Sequence, residues 1–255
     1  MGTKHSMEFR QEAVRVALTS GLTRKQVQRL LNLSLPLGTE NNDLEEFGWC
    51  SIDTGVTDSE KLHEFMTNLG NHLGEVMPSR EGGQQVDILT PIVQEEARPS
   101  SLSKKFGQGA FPLHCDTAYW TTPCRYIILG CLNAGQHPAA TLLLDTQILH
   151  FECDENPAIQ NAVFLIRNGR KSFYGSIQSP FRRFSRVDAG CMEPQCDDGK
   201  RAMELFSLER NSQHITRLDW QVGAVAVIDN WRMLHGREEC VAGEEMRRLL
   251  RVTVQ

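Results

Sequence analysis

No apolar stretch in the sequence is long enough to cross a membrane. The longest, such as residues 126–132 and 223–228, fall well below the roughly 18 residues a spanning helix needs. Cys-x-x-Cys is absent. The closest pair among the eight cysteines, Cys191 and Cys196, has no histidine nearby to complete a zinc site, and the cysteine content is too low for a disulfide scaffold. There is no Gly-x-Ser-x-Gly elbow and no P-loop, and Gly107-x-Gly109 lacks the third glycine of a dinucleotide fingerprint. Hydrolase, NTPase and dehydrogenase readings fall away with them. No internal repeat or low-complexity tract occurs. The first 30 residues carry Lys4, Glu8, Arg10, Glu12, Arg15, Arg24, Lys25 and Arg29, which leaves no apolar core for a secretory signal. A cytoplasmic protein with reduced thiols is expected.

What remains is 255 residues, 40% hydrophobic and 23% charged, the profile of a globular chain able to build one sizeable core. Its charge is unevenly placed. Residues 1–33 hold six basic groups against two acidic ones, whereas the rest holds 21 against 30. An acidic body repels phosphate backbones, so any nucleic-acid role would fall to the amino-terminal segment. There Phe9, Ala13, Val14 and Ala17 recur at helical spacing, Gly21 breaks the run, and Thr23 with Gln26 forms a capping box before Val27, Leu30 and Leu31. Residues 7–31 resemble the start of an insertion-sequence transposase helix-turn-helix. The chain turns to Leu35-Pro36-Leu37-Gly38 where a groove-entering helix should continue, so nucleic-acid binding is not expected. Residues 1–34 are read as a short helical appendage, 35–43 as a linker and 44–255 as the main domain.

In that domain a strand is expected over 48–52. A helix should follow the Thr57-Asp58-Ser59-Glu60 cap, with Leu62, Phe65, Met66, Leu69 and Leu73 on one face. Residues 78–109 lack periodicity and read as a long loop. Strands are then expected over 125–133, 141–148, 223–229 and 247–254, with helices over 157–166 and 200–208. Short strands with loop punctuation point to a mainly β, α+β fold with a jelly-roll core flanked by helices.

The chemistry concentrates in His114-Cys115-Asp116. On a strand, alternation puts His114 and Asp116 on one face and Cys115 on the other, so one metal could meet both. His235, after the apolar run 224–228, is the best third ligand. Two imidazoles and one carboxylate leave three positions open, the set suited to Fe(II) that binds a bidentate cosubstrate and O2. Twelve residues further on, alternation places Arg247, Leu249 and Arg251 on one face and Arg248 on the other. A one-residue slip would exchange Arg247 with Arg248. An inward arginine can clamp a carboxylate.

With these motifs, residues 44–255 resemble the taurine dioxygenase-like (TauD/TfdA) family of Fe(II)/2-oxoglutarate oxygenases, including its clavaminate synthase-like branch. The resemblance implies a double-stranded β-helix with His114, Asp116 and His235 as iron ligands. It implies that Thr141, in Ala140-Thr141-Leu142-Leu143, and Arg247 bind the distal carboxylate of 2-oxoglutarate, and that Arg251 lies near cosubstrate or substrate. The reaction implied is hydroxylation of a small molecule such as an amino acid or natural-product intermediate, with succinate and CO2 formed. Asp116 stands where a related halogenase has Gly or Ala. Two other readings remain at this point, a cupin-like metal-binding module or isomerase without oxygenase activity, and a DNA-binding protein led by residues 1–34. The partner expected is a small molecule, with no membrane and a possible homo-oligomer.

Overall fold

The computed structural model describes residues 43–99, 101–179, 184–241 and 247–255. The expected amino-terminal helices, the transposase-like stretch and the linker as far as residue 42 lie outside them. Asp43 is the first residue of a short helix, α1 (Asp43–Phe47).

Two antiparallel sheets face one another. The larger follows the order β1 (Trp49–Asp53), β11 (Ala224–Asp229), β5 (Tyr126–Asn133), β13 (Arg248–Val254), β2 (Val76–Met77), and β3 (Val86–Leu89) also pairs with β13. The smaller runs β10 (Thr216–Leu218), β6 (Thr141–Asp145), β12 (Met233–Arg237), β4 (Phe111–His114). The central strands are apolar on both faces because both are covered. Along β5, Ile127, Leu129 and Cys131 point between the sheets, while Ile128 joins the opposite layer with Val225, Val227, Leu250 and Val252.

That outer layer is closed by α2 (Ser59–Leu73), whose Leu62, Phe65, Met66 and Leu69 form the expected apolar stripe. Its cap is Asp58, which accepts the Lys61 N–H at 2.9 Å, one residue later than the Thr57 cap box expected. The helix packs closely over Gly130, where a Cβ would come within 2.3 Å of the Met66 sulfur. Truncating the fully buried Leu62 or Met66 to alanine should cost about 2–5 kcal/mol.

The other face of the smaller sheet carries Leu113, Cys115, Leu144 and Leu234. It is covered by α4 (Asn156–Asn161), α5 (Asp197–Leu205) and a three-stranded sheet of β8 (Lys171–Gly175), β7 (Phe164–Asn168) and β9 (Met192–Pro194). This is the α+β, helix-flanked jelly roll expected.

Two local expectations are corrected. Residues 78–109 do not form one loop: β3 pairs with β13 in register Leu249 to Leu89 through Val252 to Val86, and α3 (Leu102–Phe106) is capped by Ser101. A four-residue strand whose partner lies some 160 residues away leaves no local periodicity to read. The helix expected over 157–166 ends at Asn161, and Phe164 and Ile166 are buried strand residues of β7. A short apolar run does not by itself distinguish helix from strand. His235, after the apolar run 224–228, sits within a strand of its own, β12.

Candidate active site

His114 ends β4, and His235 is its direct partner across the β4–β12 pairing. Their rings lie 4.3 Å apart between centroids. Leu113 and Leu234, one residue earlier on each strand, belong to the outer core, so period-two alternation turns both imidazoles toward the space between the sheets. Asp116 lies beyond the end of β4 rather than on it. It reaches the same place because the backbone turns sharply at Thr117, where φ is 53°, a left-handed conformation costly for a β-branched residue.

Asn230, only 1% exposed, holds that turn. Its Oδ1 accepts the Asp116 N–H at 2.8 Å, and its Nδ2 donates to the carbonyls of Asp116 at 3.1 Å and Cys124 at 2.8 Å. The Thr117 hydroxyl accepts the Cys124 N–H at 2.7 Å. One ligand atom from each of His114, Asp116 and His235 can be chosen so that all lie within 4.8 Å of one another. The donor set fits a divalent transition metal.

The electrostatics agree with that fit. His114 Nδ1 lies 3.0 Å from the Pro112 carbonyl, which fixes the ring and leaves Nε2 for a metal. Burial, with the neighbouring His114 ring, pushes His235 down to about 3, so this imidazole is neutral and able to ligate at physiological pH. Its Nδ1 is buried without a partner, and its Nε2 lies 3.9 Å from Asp116 Oδ2. Burial of Asp116 opposes ionisation, but the Arg251 guanidinium, aided by His235 and His114, outweighs it and keeps the carboxyl below its ordinary range.

Arg251 donates from Nη1 to Asp116 Oδ1 and from Nη2 to Asp87 Oδ2, both at 2.7 Å. Asp87 also accepts the Ser79 hydroxyl at 2.6 Å. Arg251 therefore occupies one oxygen of Asp116 and leaves Oδ2 on the histidine side.

Arg247 lies one residue before β13 and is buried, whereas Arg248 is exposed. Its Nη1 donates to the Ala139 carbonyl at 2.6 Å and to the Thr141 hydroxyl at 3.1 Å. Trp220 Nε1 donates to the same hydroxyl at 3.0 Å. Burial lowers Arg247 to about 10, with a further contribution from Arg237, so it stays charged at neutral pH. Among the described residues no carboxylate pairs with it. Arg237 likewise donates to neutral carbonyls, those of Gly107 and Gly109, and stacks on Phe111 at 3.8 Å. A buried guanidinium with only neutral partners is costly unless an anion joins it, which fits an acidic cosubstrate.

Known proteins share this fold. Residues 147–253 match the family model "Taurine catabolism dioxygenase TauD, TfdA family", a stretch that contains His235, Arg247 and Arg251. Over this stretch the chain is similar to the TauD, TfdA family. No curated protein matches it. Among solved structures it is similar to an asparagine oxygenase in complex with Fe(II), 2S,3S-3-hydroxyasparagine and succinate, at 13% identity and TM-score 0.71, covering 98% of this chain and 92% of that one. It is also similar to the non-heme iron oxygenase OrfP in complex with Fe, succinate and (3S)-hydroxy-L-Arg, at 18% identity and TM-score 0.64, covering 96% and 91%. PvcB from Pseudomonas aeruginosa gives 17% identity and TM-score 0.60, covering 83% and 77%. At these identities the likeness is one of fold.

The structure thus brings together His114, Asp116 and His235 in one cluster and Thr141 with Arg247 in another, while Arg251 braces Asp116. Sequence reasoning gave no role to Asn230, Asp87 or Trp220. Nothing in their local sequence marks them, because each acts on a residue far away in the chain.

Proposed function

We propose that the chain is an Fe(II)/2-oxoglutarate-dependent oxygenase that hydroxylates an unactivated C–H bond of a small molecule, with an amino acid or natural-product intermediate as the substrate class. The observation that carries this reading is the pairing of two buried features: a two-histidine, one-aspartate cluster, and a buried arginine, Arg247, whose partners among the described residues are neutral. His114 Nε2, Asp116 Oδ2 and a nitrogen of His235 would hold the metal. Bound Fe(II) would supply O2 activation coupled to oxidative decarboxylation of 2-oxoglutarate to succinate and CO2.

The protein's own part is aim and exclusion of water. Arg247 and Thr141 would receive the distal carboxylate and fix the cosubstrate's orientation. Arg251 keeps Asp116 ionised and one-sided, and Asn230 holds its backbone. Asp116 fills the position that a halogenase would leave to chloride, which favours hydroxylation. The amino-acid class is supported by the hydroxylated amino acids bound in two of the similar structures.

We assign the oxygenase to residues 44–255, with 1–34 as an appendage and 35–43 as a linker. A cytoplasmic site agrees with cysteines that form no disulfide among the described residues. No helix among the described residues is long and apolar enough to cross a membrane.

Anaerobic addition of Fe(II) and 2-oxoglutarate should produce a weak visible charge-transfer band that is absent in His114→Ala. No band in the intact protein, or an unchanged band in the variant, would overturn the assignment.

A further inference from the structure

The hydroxyl of Thr141 has a single proton and two lone pairs. Both lone pairs are engaged: Arg247 Nη1 donates to Oγ1 at 3.1 Å and Trp220 Nε1 donates to it at 3.0 Å. Neither partner can reverse its role. A guanidinium has no acceptor in proteins, and an indole N–H is donor only. The Thr141 proton must therefore point along the remaining direction, away from both. Among the described residues no acceptor receives it. Thr141 is 2% exposed and Trp220 4%, so water competes poorly for these groups, and a rotor that would spin freely at a surface is locked.

The backbone explains why Trp220 can do this. Leu218 is the register partner of Thr141 in the β10–β6 pairing, and Trp220 follows two residues later, where the chain leaves the strand. The indole is packed with Leu143, Leu218, Ala226 and Leu249 in the core between the sheets. Its ring supplies ordinary core volume. Its N–H is spent on the Thr141 hydroxyl.

We propose that Trp220 is a positioning residue for the cosubstrate: its indole N–H fixes the Thr141 hydroxyl as a hydrogen-bond donor, directed at the anion that Arg247 awaits. This inference rests on the 2-oxoglutarate reading and adds to it the group that sets the polarity of the carboxylate pocket. Without the indole N–H, one lone pair of Oγ1 is released and the hydroxyl can rotate its proton elsewhere. The ring of phenylalanine would still fill most of the same volume, so the effect should fall on binding of the distal carboxylate and not on the fold.

The test is a double-mutant cycle on the Fe(II)-loaded protein under anaerobic conditions, with the Kd of 2-oxoglutarate measured by titration calorimetry. Trp220→Phe should weaken binding about fivefold and Thr141→Val about tenfold, the range expected for a buried hydrogen bond to a charged ligand. The double variant should be no weaker than Thr141→Val, because the indole acts only through the hydroxyl. An unchanged Kd in Trp220→Phe, or a fivefold loss that persists when Trp220→Phe is added to Thr141→Val, overturns the proposal. Wild-type protein that fails to bind 2-oxoglutarate overturns the oxygenase reading as well, so the two failures are distinguishable.

A second measurement does not depend on the folding of Trp220→Phe. The chain has four tryptophans, hence four indole N–H resonances. With Zn(II) in place of iron, the Trp220 resonance should move when 2-oxoglutarate is added and stay in place with 2-oxobutanoate, which lacks the distal carboxylate. A resonance indifferent to 2-oxoglutarate in protein that binds it, or one that 2-oxobutanoate moves equally, would refute the indole's role.

Discussion

Arg247 and Arg251 stand four residues apart at one end of the chain, both turned into the space between the sheets, and their surroundings are opposite. Arg251 is bonded to two carboxylates, Asp116 and Asp87, which raise its proton affinity although it is largely shielded from solvent. Arg247 meets only a carbonyl and a hydroxyl, and burial beside Arg237 lowers it to about 10. One charge is satisfied within the protein; the other has only neutral partners among the described residues, which under the proposed function leaves it for a carboxylate from outside. Type, spacing and burial are shared, so partners alone separate a bracing arginine from a binding one.

The comparison can be broken most severely at the group Arg251 braces. Asp116→Ala removes the carboxylate of the metal cluster, and succinate production should drop below detection, at least about 100-fold, in a coupled assay. Turnover within a few-fold of wild type would remove Asp116 from the site.

Next in size is the fold itself. Arg251→Met leaves Asp87 and Asp116 without their cation, and breaking a buried pair in this way costs about 3–5 kcal/mol. Chemical denaturation of the metal-free protein should show that loss. Arg247→Met, which removes a charge with no carboxylate partner, should be far milder in the same experiment. Equal losses would erase the distinction drawn between the two arginines.

Ligand binding should invert the order. 2-Oxoglutarate should raise the melting temperature of the wild-type, iron-loaded protein, and Arg247→Met should weaken its affinity about 100-fold, as expected for a charge-assisted, bidentate contact in a buried pocket. A thermal shift preserved in Arg247→Met would place the distal carboxylate elsewhere.

The smallest expected effect is a pH dependence on the metal side. His235 titrates at about 3 in the folded state against an ordinary value of 6.5. Its contribution to stability is therefore complete above pH 6.5 and is lost as pH falls through that window toward 3. At about pH 5 the metal-free protein should be about 2 kcal/mol less stable from this group than at neutral pH. His235→Gln should flatten the decline, and an equally steep fall in that variant would assign it to other groups.

Much of the site was legible because its residues carry their chemistry in their type. His-x-Asp and a distant histidine form a recognisable donor set, and strand alternation offered Arg247 as the inward residue while leaving a slip to Arg248 open; Arg247 is the buried one, despite a register irregularity between Arg248 and Leu249. The reasoning for Asp116 was only partly right, because the strand ends at His114 and a turn at Thr117, held by Asn230, completes the placement. Elements shaped by distant partners were illegible in advance. β3 looked like loop because its support is β13, and the helix expected over 157–166 gave way to β7 because Phe164 and Ile166 fill a core built by other segments.

By itself the amino-acid order determined which side chains can bind a metal or an anion, and the period-two patterning that turns them inward, since both follow from residue chemistry and local backbone geometry. Tertiary structure alone decided what each of those side chains meets. His114 faces His235 across a strand pair, Asp87 neutralises Arg251, and Trp220 reaches Thr141 through contacts between residues tens to more than a hundred positions apart. Such contacts arise only when the two sheets close on each other, and no local pattern encodes them.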